Sequence, residues 1–207
     1  MLTNLMRRWG SFIVDPIARI TGQTGISPNA VTFIGFLLTA VVASLLAEGY
    51  LQLAGILLIV AAFFDAIDGS MARQLQRTTP FGAFLDSTTD RFSEAVLFLG
   101  VLIHFQEKGA NTGMILTYIA IVGSLMVSYT RARAEGIGVS IKGGLLTRFE
   151  RIVVLIAGLL LNQLTIALWI LAVLTNFTAL QRIWLTWQAT RGNTRNIKRE
   201  VPGVNEA

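Results

Sequence analysis

Four aspartates stand as two pairs, Asp65 with Asp68 and Asp86 with Asp90, each inside a stretch dominated by apolar residues. Spacings of three and four put the members of each pair on one face of a helix, about one turn apart. Only a short connection separates the two apolar stretches. The two helices are therefore expected to be antiparallel neighbours, their Asp pairs at one depth and facing each other as a four-carboxylate cup. Four bare carboxylates do not share a confined site unless protons or cations neutralise them. An all-oxygen donor set selects hard cations such as Mg2+, Mn2+ or Ca2+. Two of them balance four charges and would also hold a pyrophosphate, which points to phosphoryl transfer. A divalent-metal transporter would explain the carboxylates as well. It would leave Gly69, Arg73, Thr79 and the later arginines without a role, and the two helices are nearly uniformly apolar beyond the aspartates.

The elements that position these residues read as membrane helices. Of 207 residues, 53% are hydrophobic and 14% charged, where soluble domains carry about a quarter charged. Mean hydropathy is +0.62. A spanning helix needs about 20 apolar residues, and six are predicted, over 31–47, 53–73, 84–104, 114–131, 151–161 and 165–184. The fifth is the shortest. Ahead of them, residues 2–22 read as an amphipathic helix lying in the membrane interface. Trp9, Phe12, Ile13, Ile17 and Ile20 form its apolar face, and Arg7, Arg8 and Arg19 its polar side. Ser27 or Asn29 is placed to cap the first span. The fold expected is an all-α membrane protein, with one domain over 1–190 and a mobile cytoplasmic tail over 191–207.

The formal net charge is +5. In so apolar a chain the basic residues are read as topology signals and anion contacts, not as a nucleic-acid surface. They gather before the first span, after the second, between the fourth and fifth, and at the end, whereas the opposite connections hold Glu48, Glu107 and Lys108. Both chain ends and the Asp pairs are accordingly expected on the cytoplasmic side of a multi-pass cell-membrane protein. The absence of cysteine excludes disulfides and thiolate metal sites.

The glycines beside the aspartates serve either close helix packing or access for a nucleotide. Arg73 is suited to a phosphate oxygen or to snorkelling at the interface. Taken together, Asp65-x2-Asp68-Gly69-x2-Ala72-Arg73-x8-Gly82-x3-Asp86-x3-Asp90 resembles the complete signature of the CDP-alcohol phosphatidyltransferases. The resemblance runs over nearly the whole chain. It implies that Asp65, Asp68, Asp86 and Asp90 hold two divalent cations, Mg2+ or Mn2+, and that Asp90 is also the general base toward the acceptor hydroxyl. It further implies that Asn29, Ala30, Val31, Thr32, Gly69, Arg73 and Thr79 contact the CDP-lipid, a CDP-diacylglycerol or an archaeal CDP-diether. A homodimer through membrane helices is implied as well.

The acceptor is read from charge. A neutral alcohol such as glycerol or serine does not need a cluster of cations, whereas a phosphorylated polyol does, because a dianion is held by several charge-assisted hydrogen bonds. The segments Ser128–Glu135 and Gly143–Arg151 resemble the inositol-phosphate-using branch of the family, the prokaryotic phosphatidylinositol phosphate synthases. By that likeness Arg131, Arg133, Arg148, Arg151 and Arg182 are the acceptor contacts and phosphatidylinositol phosphate and CMP the products, with glycerol 3-phosphate or serine as alternative acceptors. Glu94 continues the Asp86–Asp90 stripe by one turn and is expected either to support the site or simply to pair with a polar group inside the bundle. His104 is expected at the membrane interface.

Overall fold

The computed structural model describes residues 14–19, 27–74, 79–141 and 144–200, apart from the side chains of Ala72, Arg73 and residues 192–200. All regular structure among them is helical: α1 over 14–19, α2 Pro28–Ala47, α3 Leu51–Gln74, α4 Pro80–Glu107, α5 Asn111–Gly136, α6 Arg148–Leu160 and α7 Leu164–Glu200. Most of the expected amphipathic helix over 2–22, with Arg7, Arg8, Trp9, Phe12, Ile13 and Ile20, lies outside the described residues. So do Lys142 and Gly143.

Local chemistry accounts for the helix starts. Ser27, not Asn29, caps α2: its backbone is extended and its hydroxyl accepts from the Ala30 N–H at 3.2 Å, with Pro28 in the first turn. Thr79 and Pro80 repeat the device at α4, Thr79 Oγ1 accepting from the Gly82 N–H at 2.9 Å. At α6 the Glu150 carboxylate reaches back to the Thr147 N–H at 2.5 Å. Gly49 closes the turn between α2 and α3 at φ +88°, a left-handed conformation open to glycine.

Four helices are long and apolar enough to cross a membrane: Pro28–Ala47, Leu51–Met71, Asn111–Gly136 and Leu164–Arg191. The other two predicted spans do not meet that description by length and composition. α6 has 13 residues, about 20 Å of helix against a hydrocarbon core of about 30 Å. α4 is long enough at 28 residues, but Asp86, Asp90, Arg91 and Glu94 lie along it. The last helix runs to Glu200, well past the expected end at 184 and into the segment read as a tail; Pro202 is the first residue that could not continue it.

The packed pairs are α2 with α3, α2 with α4, α4 with α5, α5 with α7, α7 with α6 and α6 with α3. These contacts close a ring of six helices. They also correct the expectation that the two Asp-bearing helices are packed side by side: α2 is the common neighbour of α3 and α4. Gly100 makes the α2–α4 approach possible, since a Cβ there would stand 2.3 Å from the Ala43 carbonyl oxygen. Gly123 does the same for α5 on α7, where a Cβ would fall 2.0 Å from Thr175 Oγ1.

Because successive long helices alternate in direction, the ring has two chemically distinct ends. One end is packed apolar, with Leu46, Leu58, Leu97, Val101, Leu159 and Leu168 among its buried side chains. His104 belongs to this end. It is 3% exposed and packs edge-on to Phe105, so it is a core residue and not the interfacial one expected. At the other end Val14 and Ala18 of α1 pack on Val31, Ile67 and Met71. Ser70 donates to the Asp15 carboxylate at 2.5 Å, and Gln74 to the Asp15 carbonyl at 3.2 Å. Those contacts hold α1 against the last turns of α3. Outward-facing Phe33, Leu37, Ile56, Ile115, Ile166 and Val173 are exposed, as a lipid-facing surface requires.

Candidate active site

At the polar end, α3 and α4 face each other across the ring, and their carboxylates span the gap that the backbones leave. Asp65, Asp68 and Asp86 bring one oxygen each to within 4.8 Å of one another. Asp90 stands against Asp65 and shares an arginine with it. The Arg148 Nη1 stands 2.6 Å from Asp65 Oδ2 and 2.8 Å from Asp90 Oδ1, bridging the two helices from the start of α6. Asp68 is 4% exposed and accepts from the Thr32 hydroxyl at 2.6 Å, which ties α2 into the same cluster. Arg91 approaches Asp90 at 4.0 Å and also donates to the Ser87 carbonyl. The four aspartates expected from the spacing are thus brought together, Asp65, Asp68 and Asp86 converging and Asp90 lying beside Asp65, with Arg148 shared between Asp65 and Asp90.

A cavity of about 40 Å³ opens beside it. Thr32, Thr39, Asp65, Asp90, Glu94, Arg148 and Arg151 line its polar side, and Leu58, Leu97, Phe98, Leu155 and Leu171 its apolar side. Arg151 is 3% exposed and makes a bidentate pair with Glu94, at 2.8 and 3.1 Å. That pair fixes the guanidinium plane, so Glu94 is matched with a cation inside the bundle.

The nucleotide candidates divide by environment. Asn29 and Ala30 are exposed at the start of α2, close to Gly82 and Thr79: a Cβ on Gly82 would lie 3.0 Å from Thr79 Oγ1 and 3.6 Å from Asn29 Oδ1. Gly82 therefore keeps the approach to Asn29 and Thr79 open. Val31, by contrast, is 3% exposed and its side chain is taken up in packing against α1. Thr32 is committed to Asp68, and its hydroxyl also lies 3.1 Å from the Pro28 carbonyl. Gly69 follows Asp68 on α3. Arg73 is in α3 as expected, with its side chain outside the described residues.

The acceptor candidates separate more sharply. Arg131 and Arg133 are exposed near the end of α5, and Arg131 pairs with Glu135 at 2.9 Å. Arg182 is 5% exposed. Its Nη1 donates to the Val127 carbonyl at 2.6 Å, while its Nε is buried with no hydrogen-bond partner among the described residues. The free edge of this guanidinium faces Gly144, where a Cβ would come within 3.0 Å of Nη2 and 3.1 Å of Nε. Arg131 and Arg151 are near enough to act on its charge. A buried guanidinium with an unused donor, next to other cations, is a place for an anion. Arg148, expected among these contacts, instead sits in the carboxylate cup.

Sequence reasoning did not find Asp15, Ser70 and Gln74, which hold α1 against α3. No motif marked them, because the pairing of Asp15 with Ser70 depends on how α1 docks. The donor set fits a hard divalent cation: it is all-oxygen, three carboxylates converge, and the one guanidinium paired with the cup, Arg148, offsets only part of its charge.

The model of the family described as CDP-alcohol phosphatidyltransferase matches residues 25–187. A relative in Pyrococcus horikoshii, an archaetidylinositol phosphate synthase, is 38% identical over 175 residues, covering 83% of this chain and 89% of its own. Among solved structures, the phosphatidylinositol phosphate synthase of Mycobacterium tuberculosis with CDP-DAG bound superposes with a TM-score of 0.77 at 34% identity, covering 84% of this chain and 94% of that one. The same mycobacterial enzyme in complex with manganese and citrate gives a TM-score of 0.78 at 32% identity, covering 84% and 88%.

Proposed function

The chain belongs to the CDP-alcohol phosphatidyltransferase family, and from that premise we propose that it transfers the phosphatidyl group of a CDP-lipid to inositol phosphate. The products are phosphatidylinositol phosphate and CMP, or the diether counterpart if the donor is a CDP-diether. The observation that carries the reading is the meeting of two opposite charge systems at one end of the ring. An acidic cup on α3 and α4 lies beside a cavity lined by Arg148 and Arg151, with the buried Arg182 nearby. The naming of relatives as inositol phosphate lipid synthases supports the acceptor.

Asp65, Asp68, Asp86 and Asp90 would hold two divalent cations, Mg2+ or Mn2+, which neutralise the pyrophosphate and ease departure of CMP. The chain's own residues do the rest. Asn29, Ala30, Gly69, Arg73 and Thr79 take the CDP end of the donor, with Val31 and Thr32 holding that start of α2 in place. Arg131, Arg133, Arg148, Arg151 and Arg182 take the acceptor phosphate, orienting its free hydroxyl toward Asp90. The hydroxyl oxygen attacks the β-phosphorus as its proton passes to the Asp90 carboxylate; the new P–O bond forms while the phosphoanhydride bond to CMP breaks.

In this reading all six helices from α2 to α7 cross the bilayer, with α1 in the interface and the Asp end in the cytoplasm. α4 and α6 cross because the ring turns their charged residues inward, and α6 is short enough that the membrane thins around it. The enzyme acts as a homodimer through membrane helices, which mass measurement in detergent would check. The reaction is tested by CMP release from CDP-diacylglycerol with Mg2+ or Mn2+ across a panel of alcohols. Release is expected with inositol phosphate. Equal release with glycerol 3-phosphate, and none with inositol phosphate, would overturn the acceptor assignment.

A further inference from the structure

Arg148 is the one residue that belongs to both charge systems. Its Nη1 contacts carboxylate oxygens of Asp65 and Asp90 at 2.6 and 2.8 Å; Asp65 belongs to the converging set that suits a divalent cation, and Asp90 is the fourth carboxylate of the proposed cup. A guanidinium and a dication in contact with the same oxygens repel each other strongly. The two therefore exclude one another. Arg148 is also the first residue of α6, a position where the helix dipole disfavours a cation and favours an anion. Once off the carboxylates it needs another anion, and nearby Glu94 is already taken by Nε and Nη2 of Arg151. An acceptor phosphate at the start of α6 would meet that need.

We propose that Arg148 is an exchangeable counterion: it neutralises Asp65 and Asp90 until divalent cations take them, and it then passes to the phosphate of the acceptor. The inference rests on the reading of a phosphorylated acceptor given above and goes beyond it, because it makes cation and acceptor bind cooperatively. Each ligand removes Arg148 from the other's path, so each must raise the affinity of the other by the same factor. A CDP-lipid bound without cations would meet a cup still closed by Arg148, which would keep the donor from being spent in the absence of acceptor.

The test uses the full chain in detergent or nanodiscs without CDP-lipid, so that no turnover occurs, and follows Mn2+ binding by calorimetry. For the native chain, saturating inositol phosphate is expected to lower the Mn2+ Kd by a factor on the order of 5 to 150. With Mn2+ alone, Arg148→Gln is expected to bind the ion several-fold more tightly than the native chain, and added inositol phosphate to change nothing. An Mn2+ Kd of the native chain that ignores inositol phosphate would overturn the coupling. Weaker or unchanged Mn2+ binding by Arg148→Gln would overturn the exchange itself. Arg148→Lys, measured alongside, keeps the charge and should bind Mn2+ no better than the native chain, whatever the first variant's yield. The Mn2+-only comparison is read independently of which alcohol is the substrate, a question decided by CMP release.

Discussion

Replacing Glu94 by Gln keeps the shape of the side chain and removes its charge from the most enclosed ion pair described. Arg151 is 3% exposed and holds Glu94 through two hydrogen bonds. Removing one member of a buried pair costs about 3–5 kcal/mol, because the other charge stays buried and uncompensated. Gln retains one acceptor, which sets the expectation near about 3 kcal/mol. In a chain of this size that corresponds to a Tm lowered by about 6–12 °C. Thiol-reactive dyes have nothing to report on, since the chain has no cysteine, but its four tryptophans allow unfolding to be followed by intrinsic fluorescence. The double variant Glu94→Leu with Arg151→Met removes both charges and should regain most of the lost stability. It should not regain acceptor binding: KM for inositol phosphate is expected to rise in both variants while KM for the CDP-lipid stays put. Native Tm in Glu94→Gln would refute the energetic argument, and a native acceptor KM in the double variant would refute the role of Arg151.

Three other perturbations separate the parts of the site. Asp90→Asn should lower kcat by about 10²–10⁴-fold in CMP release while the protein still unfolds cooperatively, since the residue is assigned proton transfer as well as cation binding. Thr32→Val removes the hydroxyl that donates to Asp68 and leaves a buried carboxylate oxygen short of a partner, at about 1–3 kcal/mol; Mn2+ titration should show altered affinity with acceptor KM unchanged. Gly100→Ala sets a methyl against the Ala43 backbone and should cost about 1–3 kcal/mol, read as a lower Tm. Its partner Gly109→Ala makes no such contact but sits at φ +62°, so any loss there comes from backbone strain alone.

Much of the site was legible because helix periodicity is local. Spacings of three and four dictate that Asp65 stands over Asp68 and Asp86 over Asp90 whatever the helices pack against. The start of α2 was legible for the same reason, Ser27 being one of its two expected caps, whereas α4 begins at Pro80, ahead of the start expected at 84. Less could be read for α6, whose 13 residues resemble a buried core helix as much as a membrane span. His104 was misplaced because a lone histidine near a helix end carries no sign of whether a neighbouring turn covers it.

What the sequence by itself determined is the inventory of charges and the end of the bundle at which they gather. Alternating helices put the start of α2, the end of α3, the start of α4, the end of α5, the start of α6 and the later part of α7 on one side, and the candidate residues fall in or beside those segments, Arg182 at the midpoint of α7. Which charges touch was decided only by tertiary structure. Small residues at Gly100 and Gly123 allowed backbones to close a ring, with α2 packed against both α3 and α4 and the aspartates left to reach across. That closure brought Arg148 onto Asp65 and Asp90 and Arg151 onto Glu94, pairings between residues far apart in the chain that no local spacing could express. Burial then settled their weight, since a charge withdrawn from water must find a partner wherever the packing offers one.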